Sequence, residues 1–378
     1  MSCAFTQKNH KLAAILLSLG HEVFYYGAEC ADLPCTKFIE THTLKDIRQQ
    51  WGDGDNRFEI GYDWMNTDFR HDFNSPRAAC TQKFYDKTIE YINSIKKPDD
   101  FLLCTQGSYH NPIASAVGLF LVCEPGIGYR GSVKGRFRAF ESSYIQNFTY
   151  GSEHPYESIN GSYYDRVIPN YFDPKDVEYS ASYDKDNEYY LFIGRMIKRK
   201  GILTAALACN HLKKKLIIVG QGATVNEAGQ LIPTTDPDFI LEPGTWEYFG
   251  YAGVEDRKRL MKNAIATFTP TEYLECFAGT HVESMLHGTP PITTNFAVFP
   301  ETIPDYLDGV VGIRCNTLQD FVEAADKAKY VSRWTIREYG ERFLMDNVKW
   351  EFEKWFQDLY DVYESTISSK KGWHRITD

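Results

Sequence analysis

Two carboxylates bracket the run Glu275-Cys-Phe-Ala-Gly-Thr-His-Val-Glu283, and their spacing puts both at the start of a helix. Ahead of the run, Ala264-Ile-Ala-Thr-Phe-Thr-Pro270 reads as a buried strand that stops at a proline. Behind it, Ala278 to His287 carries apolar residues at helical spacing and ends at Gly288. Glu275 therefore falls in the strand-to-helix turn, with Glu283 about 12 Å further along the axis. The unpaired amides of Phe277, Ala278 and Gly279 at that helix start suit a phosphate. Helical side chains lean toward the N-terminus, so Glu283 leans back to the same ligand. One turn can then hold a diphosphate by its amides, a sugar by one carboxylate and a ribose by the other.

A second stretch supplies the opposite charge. In Phe192-Ile-Gly194-Arg195-Met-Ile-Lys198-Arg199-Lys200-Gly201 a strand ends at Gly194 and a loop with four cationic side chains leads into a helix. Arg195 can grip an oxyanion with two parallel bonds, and Lys200 adds a point charge, a pairing suited to a leaving diphosphate. Charge-assisted hydrogen bonds contribute about 1.5–3 kcal/mol each. Two of them plus the helix amides reach micromolar affinity for a sugar nucleotide. The alternative is a solvated basic loop.

The elements that must position these residues are most regular from Tyr189 onward. Strand-like runs at Tyr189–Ile193, Leu216–Val219, Glu247–Phe249, Ala264–Phe268, Pro291–Thr294 and Val310–Ile313 alternate with helical stretches near Gly201–Leu212, Val254–Asn263, Gly279–His287 and Thr317–Lys329. That alternation predicts a parallel sheet covered on both faces. The first half has the same rhythm: a helix over Lys11–Leu19, a strand His21–Tyr26, a helix Arg77–Ile95, and strands Phe101–Cys104 and Leu119–Cys123. Only Ser2–Thr6 precedes the first loop. That is either a short first strand or a start inside a longer reading frame. An insertion of about residues 32–75 is polar and weakly periodic. Its Trp51, Phe58, Tyr62, Trp64, Phe69 and Phe73 offer a carbohydrate-stacking platform or plain packing onto the domain. Val167-Ile-Pro-Asn-Tyr-Phe-Asp173 reads as a crossover between domains. The division expected is 1–172 and 173–349, with an aromatic helix from about 350 suited to packing back on the first domain.

Taken together these stretches resemble the retaining glycosyltransferases of family 4, which have the GT-B fold. Gly194-Arg195 with Lys200-Gly201 looks like the family's phosphate loop, Phe249-Gly250-Tyr251 like its base-binding turn, and Glu275 to Glu283 like its paired-glutamate motif. Gly288-Thr-Pro290 with Ile292-Thr-Thr294 looks like a further family strand, and Val167-Ile-Pro-Asn170 like its crossover. The resemblance implies an α/β protein of two Rossmann-like, doubly wound domains facing each other across a cleft, the first binding the acceptor and the second the donor. It implies transfer of a sugar from a nucleotide-diphosphate sugar to a hydroxyl of a glycan, lipid-linked or small-molecule acceptor, with retention and with no metal or other cofactor. Arg195 and Lys200 would stabilise the departing diphosphate, and Glu275 would contact the donor sugar. Glu283 would accept from the ribose hydroxyls, and the amides of Phe277, Ala278, Gly279 and Thr280 would cap the phosphates. Tyr251 and Ala252 would flank the base, and Gly220 would turn the second strand toward the nucleotide.

The first domain departs from that pattern. Where members of the family place a histidine after the strand Leu119–Cys123, this chain has Glu124, which could hydrogen-bond sugar hydroxyls or steady an oxocarbenium-like centre. Its alternative is an exposed residue before a Pro-Gly turn. His110 follows the preceding strand and faces the C-terminal edge of the sheet; a structural role is its alternative. Thr6-Gln-Lys-Asn-His10 stands where the family uses a glycine-rich turn.

Bulk properties narrow the classes. A net charge of −10 argues against broad nucleic-acid binding, and no apolar run approaches the roughly 18 residues of a membrane span. Nine cysteines at irregular spacing, without a paired CxxC pattern, fit a reduced, cytoplasmic compartment. A nucleotide-sugar 2-epimerase of the same fold, a nicotinamide-dependent oxidoreductase and a catalytically silent sugar-binding protein stand as competing readings. The fingerprint Gly220-Gln-Gly222 lacks its third glycine, which disfavours the oxidoreductase.

Overall fold

The structure, a computed structural model, describes residues 4–29, 32–51, 79–133, 137–153 and 162–366. It divides into two compact units. One runs up to Tyr171 and takes in the chain from Met345 onward; the other is Phe172–Leu344.

The first unit opens on α1 (Ala4–Ser18), then β1 (Phe24–Ala28), β2 (Lys37–His42), α2 (Leu44–Trp51) and α3 (Ala79–Ile95). It continues with β3 (Leu102–Leu103), α4 (Asn111–Val117), β4 (Val122–Ile127), β5 (Phe137–Phe140), α5 (Ser143–Glu153) and β6 (Arg166–Val167). β1 and β2 form a two-stranded parallel sheet, and β3-β4-β5-β6 a four-stranded parallel one.

The second unit holds β7 (Tyr190–Ile193), α6 (Ile202–Leu212), β8 (Leu216–Val219), β9 (Ala223–Val225), β10 (Leu231–Pro233), β11 (Trp246–Gly250), α7 (Val254–Asn263) and β12 (Thr267–Thr269). α8 (Gly279–Leu286), β13 (Pro291–Thr294), α9 (Phe299–Thr302), β14 (Ile313–Cys315), α10 (Leu318–Ala328) and α11 (Arg333–Gly340) complete it. Its six-stranded parallel sheet has the order β11-β8-β7-β12-β13-β14. Strands such as Leu216–Val219 are buried along their whole length because helices cover both faces. The strand order reverses between β7 and β12, and in sheets of this kind ligands bind beyond the strand ends at that reversal. α12 (Met345–Thr366) ends the described chain, and its Phe352, Trp355 and Leu359 pack into the first unit's core.

Several sequence expectations are corrected. Residues 4–6 are helical, not strand, and Thr6–His10 is not a loop: with no glycine or proline before Gly20, α1 runs unbroken from Ala4. The strand expected at Leu119–Cys123 lies at Val122–Ile127, so Glu124 is inside it. Pro125-Gly126, expected as a turn, is instead a register shift between β4 and β5, with Gly126 at a φ of 70°. The strand at Ala264–Phe268 begins later, at Thr267, and the last one lies at Ile313–Cys315 in place of Val310–Ile313. The aromatic helix starts at Met345 instead of near 350. Most of the insertion, with Phe58, Tyr62, Trp64, Phe69 and Phe73, lies outside the described residues.

Candidate functional site

At the reversal point two loops are stitched together. The loop after β7 reaches Gly201 at a φ of 77°, where an added Cβ would lie 1.9 Å from the Pro270 carbonyl oxygen. Only glycine lets the cationic loop press against the end of β12. The Glu272 amide donates to the Arg199 carbonyl at 2.9 Å, and the Thr271 hydroxyl donates to it at 3.1 Å. Gly220 plays the same part for the next strand: its Cβ would meet the Gly194 carbonyl oxygen at 1.8 Å, and its amide donates to Gly250 at 2.8 Å.

This stitching brings charge to the start of α8. The Lys200 ammonium pairs with the Glu275 carboxylate, itself only 8% exposed. The Tyr273 ring lies 5.2 Å from the Lys200 nitrogen and 4.7 Å from the Arg199 guanidinium, a cation–π arrangement on both. Arg195 is exposed, and no described residue pairs with its guanidinium. The backbone N–H groups of Phe277, Ala278, Gly279 and Thr280 find no acceptor among the described residues. Phe277 anchors the turn from below, packed edge-on against Phe343 at 5.7 Å.

Glu283 is 7% exposed and forms an ion pair with Arg257 of α7 at 3.0 Å. The Arg257 Nε is buried without a partner among the described residues, so the guanidinium is only partly satisfied. Tyr251 is half-buried and Ala252 buried at the start of α7.

Ala278 caps α8 in the left-handed conformation at a φ of 57°, which costs a residue with a Cβ roughly 1–2 kcal/mol. His281 holds this turn. Its Nδ1 lies 2.5 Å from the Ala278 carbonyl oxygen and must carry the proton to bond it. Nε2 is left to accept from the Thr302 hydroxyl at 2.7 Å. Full burial pushes His281 down to about 4, so the ring is neutral. Arg257, Tyr273, His281 and Thr302 were not singled out in the sequence. Only His281 and Tyr273 carried a signal, by lying inside or beside the paired-glutamate run.

The two first-unit residues have other surroundings. Glu124 is fully buried in β4; its carboxylate accepts from the Tyr129 hydroxyl at 2.7 Å and the Val133 amide at 2.6 Å. Burial pushes it up to about 7, although both hydrogen bonds pull the other way. It anchors the 129–133 loop. His110 ends a 3₁₀ turn, Gly107–His110, against Phe84, and burial lowers it to about 4.

Residues 179–330 match the family described as glycosyl transferases group 1. That similarity falls within the second unit, Phe172–Leu344. Among solved structures, a glycosyltransferase from Rickettsia africae ESF-5 superposes with a TM-score of 0.61 at 14% identity, over 94% of each chain. The lipopolysaccharide outer core galactosyltransferase WaaB gives 0.60 at 13% identity, over 94% of this chain and 96% of its own. Anabaena HepE in complex with UDP gives 0.51 at 14% identity, over 72% of this chain and 81% of its own. At such identities the likeness is one of fold: the GT-B arrangement of two Rossmann-like domains. A search of curated protein sequences finds no match. Among the described residues, no helix is long and apolar enough to cross a membrane.

Proposed function

We propose that this glycosyltransferase moves a sugar from a nucleotide-diphosphate donor to a hydroxyl acceptor with retention of configuration, and that the second unit binds the donor. The observation that carries this reading is the Lys200–Glu275 pair set at the open amides of α8, with Arg195 unpaired on the adjoining loop. A diphosphate at this turn accepts from the amides of Phe277 to Thr280 and takes its counter-charge from Arg195 and Lys200. As the glycosidic C–O bond breaks, negative charge grows on the leaving phosphate, and these fixed cations and dipoles are worth more to that state than to the intact donor. Glu275 then faces the donor sugar and Glu283 the ribose, its orientation set by Arg257. The leaving phosphate takes the acceptor's proton on the same face of the sugar, which gives retention without a protein nucleophile.

The likeness to a UDP-bound structure makes UDP the first donor base to try. Thermal melting with UDP, GDP and ADP, each with and without a chelator, identifies the base and shows whether a metal takes part. The reading fails if none of the three raises the melting temperature, or if R195A responds as fully as the native chain.

A further inference from the structure

Parallel neighbours in a sheet are ordinarily joined through a crossover helix. β8 and β11 are parallel neighbours, yet among the described residues the connection 220–245 contains no helix. It holds the antiparallel hairpin β9–β10, extended by a reciprocal pair of backbone bonds between Leu231 and Leu241, each 3.0 Å. Leu231, Phe239 and Leu241 are buried in the core with Leu216 and Ile218 of β8, the packing that a helix's apolar stripe would otherwise supply. The loop beyond β10 is fixed as well. The Thr234 amide donates to the Gly222 carbonyl at 2.8 Å, and the Phe239 amide donates to the Asp236 carbonyl at 3.0 Å. With the Phe239 ring sunk in the core, Asp236 is held in a turn of set direction.

This connection grips the cationic loop after β7 at two points. The amide of Met196, whose side chain is buried, donates to the Gln221 carbonyl at 3.4 Å. The Lys198 amide donates to a carboxylate oxygen of Asp236 at 3.2 Å. Lys198 opens the 3₁₀ turn Lys198–Lys200, and the residue at its cap, Ile197, has no side-chain acceptor to offer. Within the turn the Lys200 amide donates to the Ile197 carbonyl at 3.0 Å, and the Gly201 amide to the Lys198 carbonyl at 2.9 Å. The residue that Asp236 holds therefore also sets where Lys200 leaves the loop. By its charge alone, a carboxylate beside this loop works against binding an anion. The bond it makes accounts for its place: it supplies the missing cap to a turn of three successive cations.

We propose that Asp236 is a positioning residue of the donor site: it caps the Lys198–Lys200 turn from the hairpin connection and so sets the aim of Lys200, and through the shared loop of Arg195, at the donor's diphosphate. This rests on the reading of the second unit as the donor-binding one. Asp236 itself contributes no atom to the ligand, and what it supplies is an acceptor oxygen, not a charge.

The test compares the native chain with three variants. D236A deletes the acceptor, D236N keeps an acceptor oxygen but removes the charge, and D238A removes the exposed carboxylate two residues on. Hydrogen exchange over 197–201, followed without nucleotide, reads the cap. Calorimetric titration of UDP and ligand-observed NMR of uridine read its consequence. D236A should exchange about tenfold faster over 197–201 and bind UDP about fivefold more weakly, the size of one lost capping bond. Its affinity for uridine, which lacks the diphosphate, should be unchanged, and D236N and D238A should match the native chain throughout. A native chain that binds none of UDP, GDP and ADP counts against the donor reading, while the exchange measurement still decides the cap. The inference is overturned if D236A exchanges like the native chain, if D236N behaves as D236A does, or if D236A binds UDP as well as the native chain or loses UDP and uridine alike.

Discussion

His281 is the residue whose removal tests most directly how the α8 turn is held. His281→Phe keeps the ring volume beside Phe299, 5.1 Å away, but deletes the Nδ1–H that bonds the Ala278 carbonyl. The loss comprises one hydrogen bond, about 1 kcal/mol, plus the cost of leaving a carbonyl in that pocket underpaired, about 1 kcal/mol at the low end of its range. A total near 2 kcal/mol lowers the melting temperature of a unit this size by roughly 4–8 °C. The released turn also aims its amides less well, and a loss of about 1.4 kcal/mol there weakens UDP binding tenfold. Ala278→Gly supplies the control. Glycine adopts the left-handed conformation without strain, so the turn depends less on His281 when Gly occupies position 278. Calorimetric titration of UDP into the four chains of the double-mutant cycle should show about tenfold weakening for H281F alone and under threefold in the A278G background. If the two changes are additive within about 0.3 kcal/mol in both melting and UDP affinity, His281 does not act through the turn.

Arg195→Ala should lower kcat/KM for donor turnover about 100-fold, near 2.7 kcal/mol of transition-state stabilisation, with unchanged melting because the side chain is exposed. Arg257→Met should raise the donor KM about tenfold with little change in kcat, since Arg257 acts only by orienting Glu283. Glu124→Gln tests the buried anchor. Its carboxyl sits up at about 7, above the ordinary 4.5, so the native fold holds that proton more tightly than the unfolded chain and loses stability as pH rises from 4.5 to 7. Denaturation at pH 4.5 and 8 should show a smaller loss in the variant. His281 has the opposite sign. Held down near 4, its neutral form contributes stability above pH 6.5 that declines as pH falls toward 4, and H281F should remove that part of the acid sensitivity.

The second unit was the more legible half because its signals are local. Leu216–Val219 and Pro291–Thr294 are short apolar strands with sharp ends, and Val254–Asn263 is a bounded helix; each was readable from neighbours within a few residues. The first unit misled where a local signal had two physical solutions. Pro125-Gly126 reads as a turn in isolation, yet pairing with β5 carries it as an irregularity inside a strand, which buries Glu124. Likewise Ala4–His10 has no strong pattern of its own and becomes helical as the continuation of Lys11–Ser18.

The amino-acid order alone determined which side chains stand at each strand end: a glycine where two loops touch, cations after one strand and paired carboxylates after another. Those are matters of spacing along a strand or helix, and spacing is written in the chain. Tertiary structure alone decided what each of these carboxylates meets: Glu275 pairs with Lys200 and Glu283 with Arg257. Both pairs join segments far apart in the chain, and packing, not sequence distance, chooses such partners.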